Sequence, residues 1–171
     1  MKSITAYLGA ILLLGGITSC QQNEAEEQTA DEATVDLKAA LQGTWQTYQI
    51  NVAVNSADGK DTFRTESLTE AIWKKRFLME PPVYYFQPDQ KYRLVHRNMD
   101  GLIVDQSRGM WNTFGDTLVL IEPDATYNYR VKLGEGKAAF RTFLDWDDDG
   151  ETDDEFQSLN RQISIGVEDE E

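Results

Sequence analysis

The chain has 171 residues, 40% hydrophobic and 11% aromatic, with 30 acidic against 16 basic side chains and a formal charge of −14. That length suits one domain, and 12 Gly, 4 Pro and the aromatic content exclude collagen, coiled coil and wholesale disorder. The negative charge excludes nucleic acid as a partner, since its phosphates would be repelled. A single Cys and a single His exclude a disulfide framework, a Cys-based zinc site and a multi-histidine metal site.

Residues 1–19 read as a targeting segment. Lys2 gives the positive start, residues 4–17 give an apolar run, and small residues lead into Cys20. Such a run is too short to span a bilayer as a stable helix, so it is set apart from the fold. Ile17, Thr18, Ser19 and Cys20 resemble the lipobox of bacterial lipoprotein signal peptides, where a hydrophobic and two small residues precede a modified Cys. The resemblance implies lipidation of Cys20 by a diacylglycerol thioether and an acylated amino group. Acyl chains such as palmitate, at ~0.8 kcal/mol per buried methylene, would hold the chain on a membrane.

Charge is uneven along the chain. Residues 20–36 carry six acids, no base and almost no large apolar residue, as expected of a solvated tether. Eight more acids lie in residues 145–155 and four in 168–171, within a C-terminal tail read as residues 165–171. Between Leu37 and Leu144, 12 acids face 14 Lys and Arg, so the body of the domain, residues 37–164, is nearly neutral. Gln21 after the Cys, where inner-membrane retention is associated with Asp, and the acids behind it resemble lipoproteins sent to the outer membrane or the cell surface. A spacer without an address explains that stretch equally well.

Beyond the tether, period-two alternation and turn residues dominate. Tyr48, Ile50, Val52 and Val54 alternate with polar residues, as do Tyr127, Tyr129, Val131 and Leu133. Eight strands follow, at 43–54, 83–87, 91–98, 102–113, 117–122, 126–133, 137–147 and 154–164, joined by short turns such as Pro88-Asp89, Gly115-Asp116 and Asp149-Gly150. Short connections make consecutive strands antiparallel neighbours. The expectation is an all-β, eight-stranded antiparallel up-and-down barrel. One helix is inserted between its first two strands: Ser67 and Glu70 form a capping box, Leu68, Ile72, Lys75 and Met79 share a face, and Pro81 and Pro82 stop it.

Leu41, Gly43 and Trp45 form L-x-G-x-W; Phe86, Asp89 and Tyr92 form F-x-x-D-x-x-Y; Gly109 and Trp111 repeat G-x-W; Asp116, Leu118 and Leu120 form D-x-L-x-L. In order and spacing these resemble the small lipocalin-like domains of bacterial lipoproteins, over about residues 41–144. The chain departs from that pattern at Gln90, where the family turn has Gly, and in a longer segment between Val54 and Val83.

Physical reasoning on the same residues stands apart from the resemblance. Gly43 permits a tight entry into the barrel, and Trp45 can close its base with the indole N–H on a backbone carbonyl, although burial as plain core is the simpler reading; Trp111 reads likewise. Eight strands enclose a space that side chains fill or that one small ligand occupies. Tyr48, Ile50, Tyr92, Leu94, Tyr127 and Tyr129 are the candidate lining of such a cavity. Asp145, Asp147, Asp149, Gly150 and Asp153 spell D-x-D-x-D-G with a further acid, which resembles calcium loops of thrombospondin-type repeats and EF-hands. Phe156 occupies the twelfth position, where an EF-hand carries Glu, and strand patterns lead in through Phe140, Phe143, Leu144 and Trp146 and out through Phe156 and Leu159, so a hairpin with solvated acids is preferred and no cofactor is assigned. His96 reads as a structural histidine, and no nucleophile or carboxylate pair points to an enzyme.

Two functional expectations result. The first is a lipid-anchored, non-catalytic envelope lipoprotein that binds a small apolar or amphipathic ligand in its barrel. The second is an interaction module whose filled barrel presents its surface to an envelope protein or glycan. A continuous cavity favours the first and a packed interior the second.

Overall fold

The computed structural model describes residues 36–55 and 63–167. The targeting segment, Cys20 and all of the tether before Asp36 lie outside the described residues, as do residues 168–171. Among the described residues no helix is long and apolar enough to cross a membrane.

The chain begins with a short helix, α1 (Leu37–Leu41), whose first turn is capped by Asp36: its carboxylate accepts from the backbone N–H of Lys38 at 3.0 Å and of Ala39 at 3.4 Å. Leu37 and Leu41 are buried, so α1 packs against the core. Strand β1 (Gly43–Val54) follows at once, then β2 (Arg64–Thr69) and α2 (Glu70–Phe77). Seven strands complete the chain: β3 (Val83–Phe86), β4 (Lys91–Arg97), β5 (Ile103–Phe114), β6 (Thr117–Ile121), β7 (Thr126–Gly134), β8 (Lys137–Leu144) and β9 (Asp154–Ser164).

The sheet runs β2-β1-β3-β4-β5-β6-β7-β8-β9, and β9 pairs back onto β1. Eight strands thus form a closed antiparallel barrel, as the alternation of apolar residues and the short turns require. Closure depends on the length of β1. Its first residues pair with β3, from Gly43 opposite Phe86 to Gln46 opposite Val83. Its later residues pair with β2, from Gln49 opposite Thr69 to Val54 opposite Arg64. Its other edge carries β9 throughout, with register shifts at Thr44/Trp45 and Thr47/Gln49. The second shift leaves Tyr48 out of the ladder as a bulge, which lets Thr47 and Ile50, three residues apart, both be buried.

The segment between β1 and β3 differs from the helix expected there. Ser67 lies in strand β2, where its hydroxyl donates to Asn51 Oδ1 at 2.9 Å, and the helix starts three residues later at Glu70. Its N-cap, Thr69, makes no side-chain cap, and Glu70 instead pairs with Lys74 at 3.2 Å and Arg161 at 3.0 Å. The helix ends at Phe77, before the prolines, where Leu78 takes the left-handed conformation (φ 54°). Ile72 is exposed, and Trp73 is the residue that packs on the core.

Candidate functional site

The interior is built from aromatic rings in contact across the barrel. Tyr84 and Phe86 on β3 meet Phe140 on β8 at ring-centroid distances of 5.8 and 6.3 Å, although β1 and β9 separate these strands in the wall. Phe86 also packs on Trp111 at 5.2 Å, and Tyr129 on Phe140 at 6.1 Å. Side chains therefore fill the lumen. Several polar groups within it are paired with one another. Thr47 donates to Asn160 Oδ1 at 2.8 Å, and Asn160 donates to Ser158 Oγ at 3.1 Å. The Tyr92 hydroxyl donates to Glu122, and burial pushes the Tyr92 and Tyr84 hydroxyls up from their ordinary pKa and that of Tyr129 up to about 12.

Both G-x-W motifs close this core in the same manner. Trp45 and Trp111 are fully buried; the first donates its indole N–H to the Leu41 carbonyl at 2.8 Å, the second to the Gln87 carbonyl at 3.0 Å. Each preceding Gly makes room for a crossing strand. A Cβ on Gly43 (φ 117°) would run into the Ser164 carbonyl oxygen, and one on Gly109 into that of Ile121.

Of the six candidate lining residues, Ile50, Tyr92 and Tyr129 are buried members of this packed core, with Leu94 against it. Tyr48 sits half-buried at the bulge, and Tyr127, 43% exposed, stacks on Tyr129 from outside the buried cluster. His96 is half-buried opposite Asp105, and burial lowers its pKa. Two open clefts lie on the wall instead. One, of about 400 Å³, is lined by Asn51, Glu66, Ser67, Arg141 and Gln157; the other, of about 380 Å³, by Asn128, Arg130, Arg141, Phe143 and Glu155.

The β4–β5 hairpin is the other exposed feature. Residues 103–109 of β5 pair with β4 on one edge, but β6 joins the second edge only from Met110 onward. Among the described residues that edge has no partner strand. Met99, Leu102, Ile103 and Val104 are exposed around it, and Leu78 lies close by, since the Met79–Asn98 bridge joins the two segments.

The acidic stretch forms a loop of residues 145–153, because β8 stops at Leu144, three residues before its expected end. Asp145 accepts from the backbone N–H of Asp149 and of Gly150, each at 3.0 Å. Carboxylate oxygens of Asp145, Asp147 and Asp149 lie within 4.8 Å of one another. Asp154, fully buried at the loop's end, accepts from Asn55 N at 2.9 Å and Trp146 N at 2.7 Å, tying the loop to β1. Asp148, Glu151 and Glu155 are exposed, whereas Asp147, Asp149 and Asp153 are half-buried. Both oxygens of Asp147 and one each of Asp149 and Asp153 are shielded and accept no hydrogen bond. Burial, and then the charges of Asp154, Asp149 and Asp147, raises the Asp153 pKa.

A scan against protein-family models finds no match for the chain, and a search of curated proteins finds none.

Proposed function

We propose that the protein is a lipid-anchored, non-catalytic lipoprotein of the bacterial envelope, similar to small lipocalin-like domains, whose filled barrel is a scaffold for contact with another envelope protein. The observation that carries this reading is the set of ring contacts spanning the lumen, from Tyr84 and Phe86 to Phe140. They leave the barrel's own side chains where a ligand would sit, so recognition falls to the outside. The unpaired edge of β5, with Leu102, Ile103 and Val104 exposed, suits a partner that adds a strand by main-chain hydrogen bonds. Anchoring rests on the lipobox-like Ile17, Thr18, Ser19 and Cys20.

The test takes the protein from its own cells. Native mass spectrometry is expected to find the acylated chain without a small apolar molecule, and a photo-crosslinker at Val104 is expected to capture one defined envelope protein. Val104→Pro should abolish that capture. A stoichiometric co-purified lipid or metabolite would return the reading to a barrel-borne ligand. Cys20→Ser should abolish labelling by a fatty-acid probe, and continued labelling would remove the anchor.

A further inference from the structure

We propose that the loop joining β8 and β9 is a binding site for one calcium ion, held by Asp145, Asp147 and Asp149, with the charge of Asp153 adding to the acidic wall. The proximity of three carboxylates is only the first part of the argument, since acidic groups often cluster in solvent. The second is what surrounds them. Both oxygens of Asp147, Asp149 Oδ2 and Asp153 Oδ1 have almost no solvent-accessible area and no hydrogen-bond donor. Among the described residues five buried side-chain N and O atoms lack a partner, and these are four of them; the fifth is the indole nitrogen of Trp73. A carboxylate withdrawn from water without a donor or a countercharge is costly, and several facing one another cost more. No Lys or Arg ion pair reaches them among the described residues. Asp154 adds a further negative charge whose own oxygens are already taken by the Asn55 and Trp146 amides. What the loop lacks is a compact cation.

The donor set selects which cation. All donors are hard oxygens, which disfavours zinc and copper, and they come from alternate positions of one irregular loop, which suits calcium's irregular shell better than magnesium's strict octahedron. Phe156 stands where an EF-hand supplies its bidentate Glu and is buried in the barrel core, so it leaves coordination positions to water and backbone carbonyls. A shell with that vacancy belongs with the weaker extracellular calcium modules, with Kd on the order of 10⁻⁴ to 10⁻³ M.

Trp146 lies between two of the ligands in sequence and reports on the site. The full chain, freed of metal by chelation, is titrated with terbium while exciting tryptophan. Sensitised emission is expected to saturate at one ion per chain, to be displaced by calcium and to resist an excess of magnesium. Asp147→Asn is expected to weaken calcium by about tenfold or more, and its melting curve in chelator to match or exceed the parent's, which shows that it folds. No saturable emission together with no calcium-dependent melting shift would overturn the site. So would Asp147→Asn and Asp149→Asn proteins that bind as the parent does, displacement by magnesium as effective as by calcium, or a shift reproduced by sodium chloride of equal ionic strength.

Discussion

The barrel interior and the β8–β9 loop both withdraw polar atoms from water, and they treat them in opposite ways. Inside the barrel the strands supply partners to one another's polar groups: the Trp45 and Trp111 indoles find carbonyls, Tyr92 finds Glu122, and Thr47, Asn160 and Ser158 satisfy one another. In the loop, four carboxylate oxygens are withdrawn and given none. The rings of the interior meet one another across the lumen. The unpaired set in the loop is what the proposed calcium ion would satisfy. The difference directs the search for a ligand to the unpaired carboxylates of the loop before the ring-packed lumen.

The largest break in the interior comes from its closure. Trp45→Ala removes a fully buried indole and strands the Leu41 carbonyl, and it is expected to cost about 3–5 kcal/mol in chemical denaturation. An unchanged midpoint would place Trp45 outside the core. A smaller loss tests the pairing rule itself. Asn160→Ala leaves Thr47 and Ser158 without their partner and should cost about 1–3 kcal/mol, whereas Thr47→Val combined with Asn160→Leu removes both ends of the Thr47–Asn160 bond and should recover much of that loss. Equal losses in the single and double variants would mean that packing, not hydrogen bonding, governs the site.

The loop should respond with the opposite sign. The folded state holds the Asp153 proton more tightly than the unfolded chain does, so this group's contribution to stability falls as pH rises from the ordinary carboxylate range through its raised folded value. In chelator at neutral pH, Asp153→Asn is therefore expected to raise the melting temperature, with the gain vanishing in acid. In saturating calcium the same substitution should lower it. A gain that is the same with and without calcium would separate Asp153 from the cation.

Much of the barrel was legible because alternation is a direct imprint of a half-buried strand. β1 and β9 run over the residues the alternation and turns indicate, and the other barrel strands differ at their ends by one to three residues. The elements that were not legible lack that imprint. In β2 only Leu68 is buried, so Arg64–Thr69 shows no period of two, and Ser67 with Glu70 reads as a capping box although Ser67 is bonded across to Asn51. Helix α1 is five residues long, too short for a helical period to register. The candidate site divides in the same way. Gly43, Trp45, Gly109 and Trp111 declare themselves by motif, whereas Glu122 and Asn160 become partners of Tyr92 and Thr47 only once distant strands are in register. The acids of the loop were visible in order, but the bond from the Asn55 amide to Asp154 that ties the loop to β1 spans 99 residues in sequence and carries no local signal.

The smallest effect tests the one turn where the chain departs from the pattern it resembles. Between β3 and β4 the chain turns through Pro88 and Asp89, and Gln90 then takes φ 68°. Gln90 N–H donates to the Gln87 carbonyl at 3.1 Å, Gln87 N–H to that of Lys91 at 2.9 Å, and the Gln90 carbonyl accepts from Trp111 N at 2.7 Å. These bonds lock the left-handed residue in place, since relaxing it would break the contact to the strand that carries the second G-x-W. A side chain in that conformation costs about 1–2 kcal/mol relative to Gly, and replacing it with Gly adds about 0.5–1 kcal/mol of backbone entropy to the unfolded state. The first effect exceeds the second, so Gln90→Gly is expected to stabilise the barrel by about 0.5–1 kcal/mol, read as a higher denaturation midpoint at unchanged slope. Gln90→Val, which brings a β-branched side chain to the same φ, should shift the midpoint the other way. A loss of stability in the Gly variant would mean that the Gln90 side chain contributes packing worth more than the strain it carries.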